Sequence, residues 1–391
     1  MPATLTAGFI ALVDAAPLIV AREFGFAEEE GLSLDLRRAP SWSTLRDLLA
    51  LGQIEAAHML SPLPVAMALG LGGMTTRIDT LSILSMNGEV VGVSNALASR
   101  LREEGHDFGF TDARAAGEAI IAASGGRLRI GVPFPFSMHA ELLYYWLGAL
   151  GLQAPQDLDV HTVPPTLMAE AIAAGEIDAF CVGEPWGSMA VENGVGELIL
   201  PGSAIWGAAP DKVLAARHDW TDSEPELTGR LMRAVWRAGR WLGDAHNLGT
   251  ASDVMARPEY INVPPDIIER ALFGQLVISS DGTQRHVARF LDFFDSAATF
   301  PWRSQAAWIG ARLAARTGLD RTEAMRTARD VYRTDLYRHH LRSAGADLPG
   351  ASEKLEGALR DPTAVASEVG RMILQPDAFF DGKIFDPFDV K

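Results

Sequence analysis

The phrase GQIEAAHMLSP at residues 52–62 returns in the same pattern as GEIDAFCVGEP at residues 175–185. Each copy follows a helix-length segment. Glycine, a polar residue, isoleucine, an acid and alanine lead into a short apolar stretch that ends at proline. Glycine suits the residue that closes a helix, and the apolar stretch suits a buried strand. Proline suits the first turn of the next helix, where its missing N–H costs nothing. The chain therefore predicts two equivalent strand-to-helix corners in two similar lobes. Ligands of open α/β sheets sit beyond the carboxyl ends of the strands, so both corners should face one cleft.

Segments of strand and helix character alternate around each copy. TLTAGFIAL, PLIVAREFGFAEEEG, LSLDLRR and SWSTLRDLLALG precede the first; RLRIGVP, HAELLYYWLGALG, DLDVHTVPP and TLMAEAIAAG precede the second. Such alternation marks an α/β fold with largely parallel sheets. At 391 residues and 48% hydrophobic content the chain can bury two cores. It must cross between lobes at least twice, and the glycine-punctuated TLSILSMNGEVVGVS and ELILPGSAIWG are the candidate crossings. Residues 1–88 plus 206–391 are predicted to form lobe I with a helical C-terminal extension, and residues 89–205 lobe II. After Lys212, PELTGRLMRAVWRAGRWLGDA, QRHVARFLDFFDSAATF and SQAAWIGARLAARTG read as amphipathic helices.

Charge and cysteine usage exclude several functions. A net charge of −16 argues against direct nucleic-acid binding, which rests on clustered Lys and Arg. The single cysteine, Cys181, permits neither an internal disulfide nor a CxxC metal or redox site. No basic leader precedes the first apolar residues, and Asp14 and Pro17 interrupt them. Prolines and glycines break the apolar region near residues 60–73, so no segment reaches the roughly 20 apolar residues of a membrane span. A soluble cytoplasmic protein is the expectation.

GFIALVDAAPLIVARE, APSWSTLRDLLALGQIEAAHMLSPLP, FPFSMHAELLYYWL, IDAFCVGEPW, WGAAPDKVL and the closing FFDGKIFDP together resemble the nitrate and bicarbonate substrate-binding proteins of ABC transporters, over essentially the whole chain. The resemblance implies a two-lobed periplasmic-binding-protein-like fold of type II. Without a secretion leader, the chain resembles the cytoplasmic nitrate/nitrite sensors of the NasS type, which hold and release an RNA-binding antitermination response regulator (NasT-like). The resemblance thus implies nitrate or nitrite as ligand and that regulator as partner. The alternative is the binding component of a nitrate, nitrite or bicarbonate transporter.

A planar anion such as nitrate offers acceptor oxygens only, so its pocket needs N–H donors and positive charge. Trp42, beside a Ser41 able to cap the following helix, carries a donor-only indole. It reads as core from the residues alone and as a ligand contact from the resemblance. His139, at a predicted strand-to-helix corner, reads as a satisfied structural group or as a donor into the cleft. Lys212 is one of only four lysines among 34 basic residues and the only one before residue 354. A compact ammonium suits a small anion better than a guanidinium fork, against a reading of Lys212 as a surface-turn residue.

Gly183 would offer its backbone N–H. Glu184 is a poor direct ligand and is expected to pair with Lys212 or His139, or to be structural. Glu89 stands where the resemblance implies an amide side chain; facing an anion, it must be neutralised or turned away. An enzyme would need Cys181 or His139 as nucleophile or base. No catalytic residue, cofactor or metal site is assigned.

Overall fold

The computed structural model describes residues 2–389. Ten strands and one short edge strand build the two large sheets. Strands β1 (Ala3–Phe9), β2 (Leu32–Arg38), β3 (Ala56–Leu60) and β4 (Ile78–Asn87) alternate with helices Ala16–Glu23, Trp42–Ala50 and Pro62–Ala68. Strands β5 (Glu89–Ser94), β6 (Leu128–Val132), β7 (Leu158–Thr162), β8 (Ala179–Gly183) and β9 (Gly196–Pro201) follow, and β10 (Pro210–Arg217) comes last.

The first sheet runs β2-β1-β3-β10-β4, extended at its β4 edge by the short strand Leu291–Asp292; the second runs β7-β6-β8-β5-β9. In each, the strand in fourth place runs antiparallel to both neighbours, and it is the strand delivered by the chain as it crosses from the other sheet. The crossings are Gly88, with φ +100°, and the segment between β9 and β10. The two-lobed α/β architecture matches the expectation from the repeated phrase.

That phrase occupies the third strand of each sheet. Gly52 and Gly175 end their helices with φ near +70° (+70° and +68°), where an L side chain is strained. β3 and β8 follow, buried at every position. Pro62 is the first residue of the next helix, and Pro185 is the cap before helix Trp186–Glu192.

Helix Met138–Ala149 carries almost no polar face, and ten of its twelve residues are buried. An all-round apolar helix is a sandwiched one. It lies against β8 of one lobe and β10 of the other, and the C-terminal body grips it through Arg316 to Glu141 (2.9 Å) and the Tyr145 hydroxyl to Asp381 (2.8 Å). Helix Pro225–Leu242 packs on Ala16–Glu23, and helices Arg303–Thr317 and Arg321–Val331 pack together and on Pro62–Ala68.

Residues 284–300, expected as an amphipathic helix, are not helical. Gln284–His286 pairs with Gln275–Val277, and Leu291 and Asp292 pair with Asn87 and Met86 at the sheet edge. The Asp292 carboxylate then accepts from the backbone N–H groups of Phe294 and Asp295. The apolar spacing that mimics a helix is used to cover a sheet edge, and tertiary pairing overrides local propensity.

Candidate functional site

The carboxyl ends of the two sheets meet. The Val13 N–H donates across the junction to the Glu184 carbonyl (2.8 Å), and the Trp186 indole N–H donates to the Ala11 carbonyl (2.7 Å). Beneath these bridges lies a sealed cluster of polar side chains: Asp14, Trp42, His58, Glu89, His139, Asp211 and Lys212, none more than 1% exposed.

Each position has a local cause. Trp42 is the first residue of its helix because the Ser41 hydroxyl caps it, accepting the Thr44 N–H at 3.2 Å. His139 is placed in the same way by Ser137, which accepts the Ala140 N–H at 3.2 Å. Lys212 lies on β10, opposite Leu60 of β3 and Ser85 of β4. The β10–β4 register shifts on both sides of Lys212. Such a bulge lets the adjacent Asp211 and Lys212 side chains meet, which strict alternation would forbid.

The Lys212 ammonium stands 2.8 Å from Asp14 Oδ2 and in contact with Asp211 Oδ2. The His58 ring donates to Asp14 Oδ1 at 2.7 Å. Nζ also lies 5.8 Å from the centroid of the Trp42 ring, and the Trp42 and His58 rings are 5.5 Å apart. His139 Nδ1 is 3.7 Å from Asp211 Oδ1, too far for a hydrogen bond.

Electrostatics divide these groups. Burial works to raise the Asp14 carboxyl, but the charge of Lys212 and the His58 ring hold it down at about 2. Burial likewise opposes the Lys212 charge, and its two carboxylate neighbours outweigh it, keeping the ammonium above its ordinary value. Burial pushes Asp211 up to about 7 against the pull of Lys212. Burial, followed by the charge of Lys212, pushes His139 well below its ordinary value, so its ring is neutral.

Many buried polar atoms in this cluster have no partner: Trp42 Nε1, both His139 ring nitrogens, both Glu89 oxygens, Asp211 Oδ1 and the Ser85 hydroxyl. They come from both lobes. Gly183 sits among them, and a Cβ there would stand 3.3 Å from Asp14 Oδ2 and 3.6 Å from His139 Nε2. An unmatched buried polar group costs about 1–3 kcal/mol, so the cluster combines enclosure with polar atoms able to hold a small polar ligand.

Trp42, His139, Gly183 and Lys212 are thus brought together. Glu184 is not joined to them, and of its two readings the structural one fits its contacts. Its Oε2 accepts the Ser188 N–H at 3.2 Å and neither Lys212 nor His139 pairs with it, because Asp14 and Asp211 already hold the ammonium. Asp14, His58 and Asp211 were not singled out from the sequence, although His58 sits inside the repeated phrase and Asp211 beside the rare lysine. Cys181 is fully enclosed in β8, and burial raises its thiol well above the usual range. Among the described residues no group of His, Cys, Asp and Glu is arranged to hold a metal ion, and no helix is long and apolar enough to cross a membrane. A separate cavity of about 470 Å³ also opens between the lobes, lined by Ile10, Arg38 and Pro40 on one side and Thr166 and Trp186 on the other.

Comparison with known proteins gives the family and a fold relative. The profile of the NMT1-like family matches residues 1–256. The nitrate/nitrite binding protein NrtA of Synechocystis is 31% identical over 314 residues, covering 78% of this chain and 68% of that protein. The nitrate import ATP-binding protein NrtC of the same organism is 31% identical over 312 residues, and the chain spans only 45% of its length. The crystal structure of the periplasmic nitrate-binding protein NrtA from Synechocystis superposes with a TM-score of 0.84 at 28% identity, over 99% of this chain and 96% of that one. The chain belongs to the NMT1-like family and, within it, to the nitrate ABC-transporter substrate-binding family that includes NrtA.

Proposed function

We propose that this protein captures nitrate or nitrite in the sealed cluster between its lobes. One observation carries the reading: unpartnered polar groups from both lobes, Trp42 Nε1 from one and the His139 ring from the other, share a buried cluster with the Lys212 ammonium. Lysine has three donors, and the two carboxylates take two of them. The third, the indole N–H and the neutral imidazole match an ion that only accepts.

Enclosure matters for so small a guest. Micromolar affinity needs about −8.2 kcal/mol, whereas the best tiny ligands reach about −1.5 kcal/mol per heavy atom, or about −6 for four atoms. A dry site closed by two lobes strengthens each polar contact enough to supply the remainder.

The names of the relatives favour delivery to an ABC transporter as the purpose of capture. The second reading is a cytoplasmic sensor whose anion-dependent closure controls an RNA-binding antitermination regulator. In it the regulator and the anion must alter each other's affinity by the same factor. A thermal-shift screen with nitrate, nitrite, hydrogencarbonate, formate and sulfate tests capture. At one hundred times Kd a ligand adds about 2.7 kcal/mol, and the selective response should be to nitrate or nitrite. No response to either overturns the proposal. Calorimetry of nitrate binding with and without the regulator separates the readings, since equal affinities end the sensor.

A further inference from the structure

We infer that Glu89 binds the anion as a neutral carboxylic acid, donating its O–H to a ligand oxygen, so that nitrate or nitrite is held together with one proton. The inference rests on the anion-binding reading above and assigns a chemical role that a carboxylate in such a site otherwise contradicts.

Position comes first. Glu89 opens β5 directly opposite Gly183 of β8 in antiparallel register, and residues so paired project from the same face of a sheet. That face looks onto Asp14 and His139. The side chain is fully buried, and neither oxygen has a hydrogen-bond partner. Its place is kept open by a second glycine, since a Cβ on Gly202 would lie 2.1 Å from Glu89 Oε1.

Charge comes next. The titratable groups that face Glu89 are Asp211 and Lys212 on β10, Asp14 in the turn after β1, and Cys181 behind it on β8. The one positive charge among them is already shared by Asp14 and Asp211. An ionised Glu89 would add another negative charge, and a bound anion one more, in a space without solvent to spread them. A neutral carboxyl removes the first and turns an acceptor-only group into a donor. No protein donor meets either Glu89 oxygen to hold it as an anion, whereas nitrate and nitrite offer acceptors for the proton of the acid. Burial, followed by the charge of Asp211, pushes the Glu89 carboxyl well above its ordinary range in the same direction.

Calorimetry with sodium nitrate on the unmodified chain, Glu89→Gln and Glu89→Leu, together with infrared difference spectra of nitrate binding at pH 6 and pH 9, tests this. Glu89→Gln should keep the affinity within about threefold, because an amide donates as the acid does, and Glu89→Leu should lose at least tenfold. Nitrate should shift a protonated-carboxyl C=O band that is missing in Glu89→Gln and retained in Asp211→Asn. Native affinity in Glu89→Leu, no such band, or a band that vanishes in Asp211→Asn and survives in Glu89→Gln, overturns the inference while leaving anion capture intact. Absence of nitrate and nitrite binding at every pH overturns the capture reading itself, and this role of Glu89 with it.

Discussion

Replacing Lys212 by methionine should destabilise the protein chiefly through the two carboxylates it leaves behind. Methionine keeps most of the buried volume, so the packing loss is small. Asp14 and Asp211, fully buried, would lose the ammonium at 2.8 Å and in direct contact respectively. Removing one member of a buried ion pair costs about 3–5 kcal/mol. An unfolding entropy of about 2.1 cal/mol/K per residue gives about 0.8 kcal/mol per degree for 391 residues, so Tm should fall by about 4–6 °C at pH 7.5.

The pH dependence identifies the cause. In the native chain Asp14 is held at about 2, below its unfolded value, so its contribution is present above about pH 4 and is lost as pH falls towards 2. Without Lys212 its folded pKa rises above the unfolded one, and the deficit then grows as pH rises. Differential scanning calorimetry of both proteins at pH 4.5 and 7.5 should find a deficit that shrinks on acidification, and Asp14→Asn in the Lys212→Met background should recover part of it. A Lys212→Met protein as stable as the native one at pH 7.5, or with a deficit indifferent to pH, would refute the reasoning.

Other consequences are equally measurable. Burial raises Asp211 and Glu184 to about 7. The folded chain therefore holds protons that the unfolded chain releases, and stability should decline from about pH 4.5 to pH 7; Glu184→Gln should flatten that slope in urea titrations. Gly183→Ala places a methyl 3.3 Å from Asp14 Oδ2 and 3.6 Å from His139 Nε2. It should weaken nitrate binding at least tenfold in calorimetry while lowering Tm by only about 1–3 °C. Trp186→Phe removes the 2.7 Å hydrogen bond to Ala11 across the lobes. A loss of about 1 kcal/mol shifts an open–closed equilibrium about fivefold, which small-angle scattering should register as a larger radius of gyration without ligand.

The repeated phrase made the lobes legible, because each element in it answers to a local rule: glycine at a positive φ, an apolar strand, proline at a helix start. The caps Ser41 and Ser137 place Trp42 and His139 for reasons equally local. Residues 284–300 misled because apolar spacing alone does not separate a helix from a segment folded along a sheet edge, and the partner strand β4 lies two hundred residues away in the chain. Between the two readings open for Glu184, pairing in the cleft or a structural role, only the fold could choose, since the ammonium is held by Asp14 and Asp211 and Glu184 accepts the Ser188 N–H.

By itself, then, the sequence determined what each stretch could become, and it marked one lysine as unusual by its rarity. Only the tertiary structure decided the charge state of the site. Asp211 and Lys212 would point to opposite faces of an ideal strand, and a register shift in β10 turns them together. Burial then removes the solvent that would let three carboxylates coexist as ions beside one ammonium. Which of them carries the proton is a property of that enclosure, because desolvation and charge proximity depend on distances in space that spacing along the chain does not encode.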